Sequence, residues 1–436
     1  MLLQIGLIFL GIVALMLIGL PVGLCFGAGA IILLPLAGIA PQWAMSQSFH
    51  LLSSFAFLCL PLYILLGTTL GFSGMARRIS DFASNLVGWV RGGLGVAIII
   101  ANAMFGAMSG SALAALAGIG KAFLPDMERG GYPSSYAIAI LIPSAVLSCL
   151  IPPSGFMIVF GFMGRLSIAK CFLAGVIPGL ILMFFLSVIH LVLCRNIPTI
   201  HVPPKISFGK RVVGMSKSVY RNFLTLLIPI IVLGVIYGGF GTPTESAAIG
   251  TVYAAILALF VYRTLTLRQG ARVLTETSKL VGSILILFFF FIVLSRVLII
   301  EQVSDALLDL MMTISTNKWV LMGMLNILML FMGMIMDDAS TTIIGSVILL
   351  PVAVSIGFNP YHFVAIACVN LELGLITPPV APLLYLGGRL AGDMPLSQYI
   401  KPVLWFILFG FLPTLLLVLF IPGLSTFLPQ LFARGG

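Results

Sequence analysis

Ile151-Pro152-Pro153-Ser154 and Ile376-Thr377-Pro378-Pro379 each sit in an uncharged apolar stretch, and their Pro-Pro pairs lie 226 residues apart. Proline lacks the backbone N–H and clashes with the preceding turn, so each pair must interrupt a helix. In hydrocarbon such an interruption survives only where protein or a water-filled cavity covers the freed carbonyls.

The surroundings are hydrocarbon-like. The chain is 61% hydrophobic and 8% charged over 436 residues, against about 45–50% and roughly 25% in soluble proteins. Apolar runs near the ~20 residues needed to span recur along it. They cover roughly 2–38 (bent near Pro21), 50–72, 93–120, 136–163, 171–194, 222–240, 245–262, 280–300, 318–336, 339–356, 361–388 and 402–427. The expected fold is an all-α polytopic membrane protein of about ten to twelve membrane segments, some of them hairpins that enter and leave on one side. The first run is too long for a removable signal peptide and lacks a basic leader, so it reads as a retained helix.

The net charge of +10 is a matter of topology. Arg195 to Arg221, with Lys205, Lys210, Arg211 and Lys217, holds no acid, and Arg263, Arg268, Arg272 and Lys279 form a second basic loop. Both belong in the cytoplasm by the positive-inside rule. The tip Gly241-Thr242-Pro243-Thr244-Glu245 between them then faces the other side. No basic soluble domain exists to hold nucleic acid. The six cysteines lack CxxC spacing and the four histidines are scattered, so neither a disulfide framework nor a transition-metal site is expected, and no cofactor is implied.

At the 226-residue offset Gly131 also meets Gly357 and Ala139 meets Ala365; one residue further off, Gly106 meets Gly333. The flanking charges swap between the copies. Pro41 to His50 has no Lys or Arg where the second copy is preceded by the basic 263–279. The first copy is followed by the basic 195–221, the second by a tail with only Arg434. The loop with Arg77, Arg78 and Arg91 corresponds to one with Glu301, Asp305 and Asp309. Two inverted repeats follow: 50–195 with a hairpin break at 151–154, and 276–425 with a hairpin break at 376–379. Residues 196–275 supply cytoplasmic loops and a linking helix pair, and 1–436 forms one membrane unit. Paired breaks in inverted halves are the best sequence pointer to a transporter's binding site.

The polar residues at the breaks are Ser109-Gly110-Ser111 and Ser154 in the first half, and Asp337-Asp338-Ala339-Ser340-Thr341-Thr342, Asn370, Glu372 and Thr377 in the second. Hydroxyls, a carboxylate and unwound carbonyls are hard ligands suited to a small cation, and half-helix N-termini suit anions. Each has a plainer reading. Ser109 and Ser111 can pack helices; Asp337 and Asp338 can end a helix near the surface; Glu372 can pair with Arg296 or Arg389; Glu245 can cap the helix after Thr242 or Thr244. A carboxylate at the bilayer centre costs at least about 2.5–3.5 kcal/mol, so the acids weigh most.

Gly19-Leu20-Pro21-Val22-Gly23, Pro61-Leu62-Tyr63-Ile64-Leu65-Leu66-Gly67, Phe105-Gly106-Ala107-Met108-Ser109-Gly110-Ser111, Leu150-Ile151-Pro152-Pro153-Ser154, Gly241-Thr242-Pro243-Thr244-Glu245, Gly333-Met334-Ile335-Met336-Asp337 and Gly374-Leu375-Ile376-Thr377-Pro378-Pro379-Val380 together resemble the large membrane subunit of tripartite ATP-independent periplasmic (TRAP) transporters, in order and over essentially the whole chain. The resemblance implies a bacterial inner-membrane protein, not an enzyme, with a fixed scaffold and an elevator-like transport domain carrying two re-entrant hairpins. It implies sodium-coupled import of a small organic anion, a carboxylate or sulfonate, delivered by a periplasmic substrate-binding protein. A small four-helix membrane subunit is expected as a separate chain, with lipid around both. The sodium sites map by motif onto Ser109, Ser111, Pro152 and Ser154, and onto Asp337, Thr377 and Pro378. Substrate is expected between the hairpin tips, against Pro153, Ser154, Asn370, Thr377 and Pro379. Sodium is the only metal implied.

The chain departs from the family pattern at Ala112, where a second serine is common after Ser111, and at Val380-Ala381-Pro382-Leu383, where the family often has Val-Gly-Leu-Asn. The alternatives from other classes are a stand-alone ion-coupled anion exchanger and a passive channel. A channel would need polar faces running through several helices, and here polarity is concentrated at the paired breaks.

Overall fold

The computed structural model describes residues 2–202 and 208–433; Lys205 and Arg434 lie outside them. The described residues are helical throughout, with no strand among them. Among the described residues eight helices are long and apolar enough to cross a membrane, or nine if the bent pair Ser134–Leu150 and Gly155–Met163 is one span, and shorter apolar helices lie at Gln4–Leu17, Val22–Leu36, Gly93–Ser109 and Pro360–Leu375. This is a multi-pass membrane protein.

Two groups of helices pack side by side. One contains Leu2–Leu17, Val22–Leu36, Pro41–Leu52, Cys59–Phe72, Phe208–Tyr237, Pro243–Ile256 and the long Leu267–Ile300. Gly23 lets the backbones of Val22–Leu36 and Leu267–Ile300 approach, because a Cβ there would stand 3.1 Å from the Leu287 Cα, and Phe26 meets Phe291 edge-on at 5.0 Å. The other group contains Gly93–Ser109, Ala112–Arg129, the bent pair, Ile168–Leu193, Lys318–Ile335, Asp338–Ser355, Pro360–Leu375, Pro382–Leu390 and Leu396–Phe420.

The second group is built twice. Helices open at Ala112 and Asp338, 226 apart, and at Ser134 and Pro360, again 226 apart. The close crossings recur as well. A Cβ on Gly106 would lie 2.3 Å from the Ser148 Cα; one on Gly374 would lie 2.5 Å from the Gly333 Cα, and both members of that pair are the offset counterparts, within one residue, of Ser148 and Gly106. Asn102 donates to Ser144 Oγ at 2.7 Å, and Asn370 donates to Asn326 Oδ1 at 2.6 Å at the corresponding places. Small residues and short polar bridges are how helices associate where lipid removes the hydrophobic drive.

The charges also fall where the loops placed them. Arg78 lies over the Tyr262 ring at 3.6 Å, beside Arg263, and Arg91 donates to the Ile197 carbonyl at 3.2 Å. The basic loops therefore share one face. The tip at 241–245 is elsewhere, with Thr244 donating to the Phe55 carbonyl at 3.3 Å, on the side of the uncharged Pro41–Leu52. Glu245 is the helix-capping residue its plainer reading described: Thr242 and Glu245 form a reciprocal capping box.

Three expectations change. The run 93–120 is two helices, Gly93–Ser109 and Ala112–Arg129, separated at Gly110, which adopts φ +63°. These two helices pack against each other, so the chain folds back at Ser109-Gly110-Ser111. At 151–154, where a hairpin tip was expected, the axis bends by only 41°. The physical reason is Ser154: its side chain accepts from the Met157 N–H and restarts the helix at once. The segment expected at 280–300 starts at Leu267, because Thr266 and Gln269 form a capping box that carries the helix out among Arg268, Arg272 and Lys279.

Candidate functional site

The fold-back at Ser109-Gly110-Ser111 meets the first Pro-Pro break directly. The Gly155 N–H donates to the Gly110 carbonyl at 2.8 Å, and a Cβ on Gly110 would stand 2.8 Å from the Pro153 carbonyl oxygen. The second half repeats the strap: the Ala381 N–H donates to the Met334 carbonyl at 3.2 Å. Both Pro-Pro peptide bonds are cis.

Ser111 caps Ala112–Arg129 through the Ala114 N–H at 3.4 Å. Its counterpart 226 residues on, Asp337, is the N-cap residue of Asp338–Ile344 and accepts from Ser340 Oγ at 2.5 Å. The helix starts converge. Ser109, Gly110 and Ser111 share a small cavity of about 100 Å³ with Asp338, Ala339 and Thr342. Ser109 is buried, and its hydroxyl has no hydrogen-bond partner. Beside this cavity a groove of about 590 Å³ lies between the two helix groups. Its walls include Gly67, Thr68 and Gly71 on one side, and Ser109, Ser111, Ala114, Ala117, Gly118 and Lys121 on the other. Gly67 sits against the Ser109 Cβ. The groove leads from the fold-back toward Lys121, next to Ala122, whose carbonyl accepts from Arg77. It opens on the basic face.

Not every expected residue reaches this space. Pro152, Pro153 and Ser154 are buried, and the Ser154 hydroxyl is committed to the Cys149 carbonyl and the Met157 N–H. Asn370 is buried, its amide turned to Asn326, so it ties two helices together. Thr377 hydrogen-bonds the Leu373 carbonyl at 2.7 Å and is part-buried, while Pro379 is exposed and its carbonyl accepts from the Tyr385 hydroxyl. Thr342, from the polar run after Asp337, lines the cavity, and Lys121, which the sequence reading passed over, lines the groove. The four ion pairs among the described residues involve neither Glu372 nor Asp338, so Glu372 is paired with neither Arg296 nor Arg389.

The family model described as "Tripartite ATP-independent periplasmic transporter, DctM component" matches residues 9–424.

This chain belongs to that family.

It is 34% identical over 383 residues to the C4-dicarboxylate TRAP transporter large permease protein DctM of Pseudomonas aeruginosa, covering 88% of each chain. It is 34% identical to the sialic acid TRAP transporter large permease protein SiaM of Vibrio cholerae, over 99% of this chain and 100% of that one. The isethionate TRAP transporter permease protein DctMQ of Oleidesulfovibrio alaskensis is 30% identical over 94% of this chain, which spans 64% of that longer protein. Among solved structures, the YdaH transporter of Alcanivorax borkumensis, described as having an unusual topology, superposes with a TM-score of 0.62 at 16% identity over 92% of this chain and 98% of that one. That likeness concerns the fold. The relatives are permeases, in line with a transporter and not an enzyme.

Family membership sharpens one local departure. Ala381 sits at φ +37° and is fully buried, at the position where the family often carries glycine. A left-handed conformation costs a non-glycine residue roughly 1–2 kcal/mol, partly offset by the greater unfolded-state freedom of glycine. Ala381→Gly is expected to raise thermal stability by about 1 kcal/mol, read as a higher melting temperature of the purified protein.

Proposed function

We propose that this chain is the transporting subunit of a sodium-coupled system that imports a small organic anion, a carboxylate or sulfonate, across the bacterial inner membrane. The observation that carries the reading is the convergence of two equivalent helix starts, at Ser111 and at Asp337-Asp338, on one small cavity beside the buried Ser109, whose hydroxyl is unpartnered. Hydroxyl, carboxylate and carbonyl oxygens at broken helices suit sodium, and half-helix N-termini suit an anion. Ser109, Ser111 and the first break would serve one sodium ion; Asp337, Thr377 and Pro378 would serve another.

The helix group around Leu267–Ile300 is the scaffold and the twice-built group is the transport domain, which moves past it as an elevator. The groove on the basic face then represents the inward-open end of that movement, with Lys121 as a positive group where the anion departs. The relatives are named for C4-dicarboxylates, sialic acid and isethionate, all organic acids, which supports the substrate class. A periplasmic binding protein supplies the substrate, and a small membrane subunit braces the scaffold; the family description as tripartite supports both.

The test is uptake of labelled succinate, sialic acid and isethionate into liposomes containing this chain and its small subunit, with and without binding protein, under a sodium gradient. Uptake indifferent to sodium would overturn the coupling, and uptake that needs no binding protein would overturn the tripartite assembly. Ser111→Ala and Asp337→Asn are expected to lower apparent sodium affinity by roughly tenfold or more, the effect of losing a ligand-shell partner, while the protein stays monodisperse. Unchanged sodium activation in both variants would remove these residues from the cation sites.

A further inference from the structure

Behind the small cavity lies a cluster that the transport cycle proposed above does not use. One ligand atom from each of Cys149, Asp338 and Glu372 lies within 4.8 Å of the other two. Glu372 is fully buried on Pro360–Leu375, and its carboxylate faces the Cys149 thiol and the Asp338 carboxylate, with no cationic or backbone partner. Asp338 is only partly engaged, accepting from Thr342 Oγ1 at 3.3 Å. Cys149 precedes the first Pro-Pro break; its carbonyl is taken by Ser154 and Cys368, which leaves the thiol beside the carboxylates.

Two carboxylates with no cationic side chain paired to them are costly at membrane depth, and a residue so placed faces a partner or a cavity. What neutralises them must come from outside the chain. Three atoms no more than 4.8 Å apart can all lie within about 2.8 Å of one central ion, close to the roughly 2.0–2.6 Å of metal–oxygen and metal–sulfur bonds. The ligand types discriminate further. Sulfur is a poor donor for hard sodium or magnesium but a good one for borderline divalent metals, and a monovalent ion would leave more of the carboxylate charge uncancelled. Magnesium would also need to keep several waters. Asp338 and Thr342 line the cavity of about 100 Å³, which supplies both an entry path and room for a water as fourth ligand.

We propose that Cys149, Asp338 and Glu372 form a binding site for a divalent cation of the zinc class, separate from the sodium positions, which ties the first repeat to the second behind the hairpin fold-back. Cys149 enters as thiolate, its proton passing to solvent as the metal binds. The ion holds the residue before the first break against two helices of the other repeat, and so sets how firmly the two halves of the moving group are joined.

The test is metal binding to the purified full-length chain in detergent, stripped with chelator and titrated with Zn²⁺ at constant sodium. The expected result is one tightly held zinc per chain by elemental analysis, with a raised melting temperature. Glu372→Gln, Asp338→Asn and Cys149→Ser should each weaken zinc binding by roughly tenfold or more; if one of them fails to fold, the other two carry the comparison. A wild-type chain that takes up no zinc, or zinc binding unchanged in the folded variants, overturns the site. Thermal protection by sodium alone that Glu372→Gln abolishes overturns the divalent assignment. A protonated-carboxyl infrared band in zinc-treated wild type that Glu372→Gln removes overturns metal occupancy in favour of a shared proton. None of these readouts depends on uptake, so their failure is distinct from failure of the sodium-coupled reading.

Discussion

Gly110→Ala is expected to cut uptake on the order of 100-fold while leaving a folded, monodisperse protein. Gly110 is held at φ +63°, where a side chain costs roughly 1–2 kcal/mol. The added Cβ would also stand 2.8 Å from the Pro153 carbonyl and 3.0 Å from the Gly155 nitrogen. Relief requires the fold-back to move away from the break, which stretches the Gly155 N–H to Gly110 carbonyl bond of 2.8 Å. A buried backbone group left unpaired adds about 1–3 kcal/mol. Ser109 and Ser111 flank this glycine, so a shift of about 1 Å displaces both hydroxyls, and misplacement on that scale costs on the order of 100-fold where groups must be positioned. The measurement is initial uptake into liposomes at saturating sodium, with elution profile as the folding control. Uptake near wild type would show that the strap does not position the serines.

Gly374→Val is expected to act on stability instead. The Gly374 Cβ would lie 2.5 Å from the Gly333 Cα and 2.6 Å from its carbonyl carbon, so the clash is with backbone that no rotamer change can relieve. Ordinary overpacking costs about 1–3 kcal/mol; a backbone crossing forced apart belongs in the rarer class above about 4 kcal/mol. That corresponds to a fall of about 4–5 °C in apparent melting temperature for a chain of this size, read at fixed scan rate because unfolding of such a protein is not reversible. Gly323 supplies the contrast. It lies on Lys318–Ile335, the same helix as Gly333, with nothing within 4 Å of its prospective Cβ, so Gly323→Ala is expected to be neutral or slightly stabilising. Equal losses from both would refute the close crossing.

Much of this architecture was legible because it rests on backbone chemistry. Paired prolines interrupt a helix where single ones such as Pro178 and Pro229 are carried inside it, so the breaks at Pro152-Pro153 and Pro378-Pro379 could be read directly, and the swapped loop charges pointed to the inversion. The fold-back at Gly110 was hidden for a complementary reason: Ser-Gly-Ser barely disturbs hydropathy, and the run 93–120 stays apolar across it. The signal that could have found it is a glycine able to take positive φ followed by a serine able to cap the next helix. Which way Asn370 turns could not be read from the sequence, because the face its helix shows to Asn326 is set by packing between helices far apart in the chain. Cys149 looked like packing because its partners, Asp338 and Glu372, lie about 190 and 220 residues away in sequence and only the folded repeats bring them together.

The seam between the two helix groups has a mechanical consequence. Along the groove the facing residues are Gly67, Thr68 and Gly71 on one wall and Ser111, Ala114, Ala117 and Gly118 on the other. Helices normally resist sliding because the ridges of one lodge in the furrows of its neighbour. Where Gly67 sits against the Ser109 Cβ the ridges are low, while Ile64, Phe72, Phe105, Leu113, Leu280 and Ile284 line the rest of the groove. In the elevator movement proposed above, the small residues mark the stretch that slides most freely, and the larger side chains are the ones that leave their furrows. A bulky substitution at Gly67, whose Cβ would stand 3.0 Å from the Ser109 Cβ, would wedge the two groups apart at that stretch.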